Sequence, residues 1–186
     1  MILKLSAIIF FIIAISGCIG EKNNINDTEG VNIVNTISIS AEAFKNGERI
    51  SGEYTCDGKD ISPALSWTGV PKDTKSIALI MDDPDATFVH WILFNIPAIK
   101  DRLPAAIPKN GILNDGSIQG MTDFGYVGYG GPCPPLGKSH KYYFRIYAVD
   151  KIFDLSPGIS RKDVDNAMKG HILAKGELFG IYGGIE

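Results

Sequence analysis

The sequence predicts a mostly β chain, an antiparallel β-sandwich with one helix in its C-terminal region, and three observations point there. Apolar and alternating runs of strand length dominate from Thr36 to Val149. Gly 21 and Pro 10 in 186 residues favour a turn-rich chain over a helical bundle. Strands come first and the one well-formed helical pattern comes late, which argues against alternating βαβ units.

The N-terminus is of a different kind. Of the first 17 residues 13 are apolar, and Lys4 carries the only charge. The run from Leu5 to Ile15 is broken only by Ser6. A bilayer span needs about 20 apolar residues, so this run has the length of a secretory h-region, and residues 1–17 read as a signal peptide. The stretch Ile15-Ser16-Gly17-Cys18 resembles the lipobox of prokaryotic lipoproteins, with Ile15 in place of the usual Leu. That resemblance implies a lipidated Cys18 at the head of a 169-residue mature chain. An uncleaved N-terminal anchor is the competing reading. Both put the protein outside the cytoplasm, fixed to the cell membrane. Residues 18–35, with five Asn among Asp, Glu and Gly, read as a flexible tether, and the folded domain as 36–186.

Within that domain Ile37, Ile39 and Ala41 alternate with Ser38 and Ser40, the period of a half-buried strand. Ser76–Asp82 and Val89–Ile96 are nearly continuous apolar runs, expected of central strands covered on both faces. Lys141–Val149 alternates, with Tyr142, Phe144, Ile146 and Ala148 on one face. Ser160 caps the predicted helix, Asp163 sits in its first turn, and Val164, Ala167, Met168, His171 and Ile172 form its apolar stripe. This helix is expected to end near Gly176, followed by a terminal strand over Glu177–Tyr182. Trp67 and Trp91 read as core aromatics, and His171 as a hydrogen-bonded core residue.

Lys plus Arg is 18 and Asp plus Glu is 21, a net charge of −3. No basic field exists to draw in nucleic acid. Cys56 and Cys133 form an even pair in a compartment where disulfides persist, either bridged or as two buried thiols.

Two motifs fail on inspection. Gly125-Tyr-Val-Gly128-Tyr-Gly130-Gly131 lacks the following helix of a dinucleotide fingerprint, since Pro132, Pro134 and Pro135 forbid it. Gly131…Gly137-Lys138-Ser139 has five spacer residues where a P-loop requires four. The chemistry lies elsewhere. Asp82-Asp83-Pro84-Asp85 is expected in a turn at a sheet end, His90-Trp91 opens the next strand, and a stiff Pro-rich loop delivers His140 just before another.

These residues carry a resemblance. Asp83-Pro84-Asp85-Ala86, His90-Trp91, Asn95-Ile96-Pro97, Gly131-Pro132-Cys133-Pro134-Pro135 and His140-Lys141-Tyr142 resemble, in order, the motifs of the phosphatidylethanolamine-binding proteins in their prokaryotic branch. The likeness spans about residues 36–184. It implies a β-sandwich flanked by short helices and a small anion pocket lined by Asp83, Asp85, His90, Gly131, Pro132, His140 and Tyr142; apart from the resemblance, Tyr182, near the terminus, is a further candidate for the pocket. Where the family's loop carries a Lys after the paired prolines, this chain has Leu136, and Lys138 follows two residues later.

Carboxylates beside an anion site make sense if they orient imidazoles, which then act as charged donors while an acid receives an ammonium group. The pocket is therefore expected to suit a phosphoethanolamine-type ligand or a lipid headgroup. Asp83 and Asp85 acting only as turn caps is the plain alternative. The expected function is non-catalytic binding, with no cofactor and no metal. Two alternatives are inhibition of an extracellular peptidase, which the resemblance suggests, and hydrolysis through Cys133 and His140 or an Asp/His metal site.

Overall fold

The computed structural model describes residues 35–184. The expected signal peptide, the expected lipidation site Cys18 and the expected tether up to residue 34 lie outside the described residues. The domain is mostly β with one α-helix. A six-stranded sheet has the order β1-β9-β8-β4-β5-β7, and a three-stranded sheet the order β2-β3-β6. The strands are β1 (Asn35–Thr36), β2 (Ser38–Ala41), β3 (Leu65–Thr68), β4 (Ser76–Asp83), β5 (Phe88–Pro97), β6 (Arg102–Leu103), β7 (Ile118–Gln119), β8 (Ser139–Val149) and β9 (Ile172–Gly183), with α1 (Arg161–Met168) before β9.

The all-antiparallel expectation needs correction, because β1 runs parallel to β9, so the large sheet is mixed. Of the expected flanking helices there are α1 and a single 3-10 turn at Gly52–Tyr54. The second sheet is small, β6 contributing only two residues.

The continuous apolar run of β4 has a direct cause. Ile77, Leu79 and Met81 join Trp91 and Phe144 in a cluster shared with Ile39, Leu65 and Trp67 of the small sheet. Ala78 and Ile80 face the other way, with Ile92 and Phe94, onto Phe153 and onto Val164 and Met168 of α1. With both faces covered, β4 has no place for polar side chains between Ser76 and Asp82. β5 leaves the regular ladder at Asn95, which holds φ +55°. Its side chain donates from Nδ2 to the Phe153 carbonyl at 2.8 Å and accepts from the Phe153 N–H at 2.9 Å, pinning the following loop.

α1 begins as expected, with Ser160 and Asp163 forming a reciprocal capping box. It ends earlier than the sequence pattern suggests. Lys169 leaves the helical region at φ −57° and ψ 124°, Gly170 takes φ +79°, and β9 starts at Ile172. The reason is the ladder from Ser139↔Gly183 to Val149↔Ile172, which satisfies more backbone groups than another helical turn would. His171 is accordingly off the helix and half-exposed, its ring Nδ1 2.7 Å from Asp150 Oδ1, and it is not a core residue.

At one end of the large sheet four strand termini meet. Asp83 pairs with Phe88 across the β4–β5 hairpin, Asp82 pairs with Tyr143, and Ser139 pairs with Gly183. The irregular loop from 120 to 138 is fastened over this end. Gly130 N–H donates to the His90 carbonyl at 2.9 Å, and Cys56 N–H to the Pro132 carbonyl at 3.1 Å. Cys56 and Cys133, 77 residues apart, are bridged by a disulfide.

A crosslink of that span restricts the unfolded chain strongly, so replacing both cysteines with serine should cost about 2–5 kcal/mol. Urea unfolding with and without a thiol reductant checks it. The midpoint should drop on reduction in the wild type and stay put in the doubly substituted protein.

Candidate functional site

Asp83 ends β4 and is nearly inaccessible, at 2% exposure. Pro84 cannot extend the ladder, and the chain turns. Asp83 Oδ1 accepts from the N–H groups of Asp85 and Ala86 at 2.9 and 3.2 Å, which fixes the turn. Its Oδ2 accepts from His140 Nδ1 at 2.7 Å. One oxygen of Asp83 thus caps the turn, and the other holds the His140 ring. Asp85 is exposed and accepts from the Lys141 N–H at 2.9 Å, latching the turn onto β8. Thr87 closes the turn at φ +53°, a strained conformation for a β-branched residue.

His90 stands two residues into β5. Its Nδ1 lies 2.8 Å from the Gly130 carbonyl, which can only accept, so Nδ1 carries the proton and Nε2 keeps a lone pair. Tyr142 and Phe124 meet the ring edge-on at centroid distances of 5.1 and 5.2 Å. Burial lowers the imidazole's pKa below its ordinary value, and the Gly130 carbonyl and the Asp83 charge offset that only in part. The recess therefore does not present two charged imidazoles, as the sequence suggested. His90 is neutral at neutral pH. In His140, the carboxylate partner likewise assigns the proton to Nδ1.

Both rings line one recess of about 140 Å³, bounded also by Asp83, Phe88, Phe124 and the Pro134-Pro135 pair. Tyr142 is fully buried against both imidazoles. Burial and the nearby Asp83 raise its phenol far above the ordinary range, so it stays protonated, and its hydroxyl has no hydrogen-bond partner among the described residues.

Other expected site residues lie elsewhere. Gly131 and Pro132 do not line the recess. Gly131 N–H donates to Asp60 Oδ1 at 2.6 Å, and a Cβ there would sit 2.6 Å from the Tyr54 carbonyl oxygen, so glycine is needed for the loop to pack on residues 54–60. Asp85 sits outside the recess on the turn. Tyr182 donates to Asp57 Oδ2 at 2.8 Å and faces a neighbouring hollow. Cys133 reaches the recess wall, but its sulfur is committed to Cys56 and offers no thiolate to His140. Among the described residues no three His, Cys, Asp or Glu side chains are grouped to hold a metal ion.

Phe88 and Phe124 were missed. Phe88 stands at i−2 from His90, so strand period alone places it on the same face. Phe124 falls in an irregular stretch with no period to read. A larger hollow, about 490 Å³, is lined by Arg145, Lys175 and Glu177 away from both site imidazoles, and its Arg145 is already paired with Asp82 and Glu177. Size is a weaker guide here than converging chemistry.

Comparison with known proteins bears on this arrangement. A profile described as Phosphatidylethanolamine-binding protein matches residues 40–183. The chain belongs to the phosphatidylethanolamine-binding protein family. Among family relatives, a UPF0098 protein of Methanothermobacter thermautotrophicus is 50% identical over 149 residues, covering 78% of this chain and 98% of the relative. A UPF0098 protein of Pyrococcus abyssi is 40% identical over 181 residues, 94% of this chain and 95% of its own. The crystal structure of Escherichia coli YbcL, described as a new member of the mammalian family, superposes with a TM-score of 0.75 at 33% identity, covering 81% of this chain and 99% of that one. A Chlamydia trachomatis homologue of the family gives 0.73 at 35% identity, over 80% and 97% of the two chains.

His90 gives the site a pH signature. Its folded pKa lies below the unfolded value of about 6.5, so its neutral form is the one folding favours. Stability should be fully present above about pH 6.5 and should fall as the pH drops from there through the folded pKa. Urea midpoints at neutral and mildly acidic pH, compared between wild type and His90→Gln, check it. The acid-side loss should be smaller in the variant.

Proposed function

We propose that this member of the family is a non-catalytic binding protein whose recess takes a small phosphate-bearing or anionic group of the phosphoethanolamine type. The reading is supported above all by two imidazoles from remote segments lining one small recess, each with its Nδ1 proton already given to a protein acceptor. Their Nε2 atoms are what remains for a ligand. Neutral His90 can accept from a protonated phosphate oxygen, or take up a proton and donate once an anion is present to offset the cost of charging a buried ring. Asp83 is spent on the turn and on His140. An ammonium group would therefore turn to Asp85, which keeps one oxygen without a hydrogen bond among the described residues. Phe88, Phe124 and the prolines make the remaining walls apolar, which strengthens each polar contact by excluding water.

Placement outside the cytoplasm belongs to the same proposal, with Cys18 as the lipid-bearing residue and 18–35 as tether. The disulfide supports it, since such bonds persist mainly in oxidising compartments.

The test is a titration of the full-length chain in neutral detergent with inorganic phosphate and then phosphoethanolamine, followed through imidazole resonances. Saturable movement of His90 and His140 is expected, with His140→Gln weakening binding by about tenfold or more, the worth of one charge-assisted hydrogen bond. If neither ring responds to either compound, the recess is not the binding site.

A further inference from the structure

A second hollow adjoins the first, sharing Pro134 and Pro135 as a common wall. It measures about 110 Å³, and Arg49, Lys138 and Tyr182 contribute to its lining. We propose that this hollow is a separate subsite for a small oxyanion, a sulfate, phosphate or carboxylate group, held by Arg49 and Lys138.

Arg49 is positioned without being neutralised. Its Nη1 donates to the Gly183 carbonyl at 2.9 Å, and its guanidinium lies over the Tyr182 ring, 5.1 Å from the centroid. Neither Arg49 nor Lys138 forms an ion pair among the described residues, whereas Arg145, Arg161, Lys100 and Lys109 each have an acidic partner. Asp57, the one carboxylate lining the hollow among the described residues, accepts from the Tyr182 hydroxyl at 2.8 Å. Two cations against one acid leave an excess of one positive charge. A planar guanidinium held by a carbonyl and a ring face keeps its remaining N–H groups ready for an oxyanion, at little further cost in side-chain entropy.

The backbone is built for this approach. Gly183 takes φ +98°, and a Cβ there would sit 2.1 Å from the Lys138 carbonyl oxygen and 2.6 Å from Pro134 Cγ. Only glycine lets the end of β9 lie so close under the loop, bringing Arg49 and Lys138 to one hollow. Leu136 at the tip is wholly exposed, so Lys138 supplies this loop's only cation.

The site uses neither imidazole, so its test separates from that of the first recess. Sulfate is titrated into the full-length chain in neutral detergent at about pH 8, where His90 is neutral and a fully ionised anion has no proton to offer it. The readouts are the Arg49 Nε–H and the Gly183 and Gly184 amides. Saturable shifts at these groups are expected, weakened about tenfold or more in Arg49→Gln, partly restored in Arg49→Lys, and unchanged in His90→Gln. Lys138→Ala, on an exposed loop, should also weaken binding and serves if Arg49→Gln fails to fold. Shifts that survive both Arg49→Gln and Lys138→Ala, that appear only at the imidazoles, or that rise without saturation would overturn the subsite.

Discussion

The site end of the domain depends on one buried carboxylate. A nearly inaccessible acid is costly unless its oxygens are occupied, and Asp83 meets that demand with three donors drawn from two parts of the chain. Two are backbone N–H groups of its own turn, and the third is His140 at the head of β8. The same group therefore sets the hairpin geometry, the position of the second histidine strand and the tautomer of its ring. Removing the charge while keeping the shape would leave the turn underbound and free His140 to rotate.

The rest of the fold holds that carboxylate in place. β4 lies between β5 and β8, and its alternate side chains enter two different apolar clusters. A strand pinned on both faces and both edges cannot slip by one residue without exposing its whole apolar set. Its last residue is thereby a fixed point. The loop carrying Gly130 and Cys133 is tied to the same end by the His90 carbonyl, by Asp60 and by the disulfide. The groups that line the recess, from β5, β8 and the loop, thus share one rigid frame, so little ordering would oppose the proposed binding.

Much of this was legible in the sequence because the signals were periodic. β4, β5 and β8 follow from continuous or alternating apolar runs, and the start of α1 from Ser160 and Asp163. What was not legible depends on pairing between distant segments. The helix stripe through His171 and Ile172 was real as a pattern, yet Ile172 belongs to the β8 ladder. The parallel pairing of β1 with β9 leaves no mark on a two-residue strand. At the candidate site, the family resemblance gave all its residues a single role, that of lining one pocket. Asp83, His90 and His140 line the recess. Tyr142 backs the imidazoles, Gly131 and Pro132 hold the loop to residues 54–60, Asp85 latches the turn, and Tyr182 faces the other hollow. A motif reports proximity, and only coordinates separate a wall from its buttress.

The proposed binding requires both imidazoles of the recess to carry their proton at Nδ1, so that Nε2 is left for a ligand. Long-range nitrogen–proton correlation spectra of the histidine side chains, recorded without ligand at neutral pH, test this directly. Protonation of His90 at Nδ1 alone, and of His140 at Nδ1, is predicted. An Nε2–H tautomer at either ring would mean that the Gly130 carbonyl or Asp83 does not hold it, and would contradict the account.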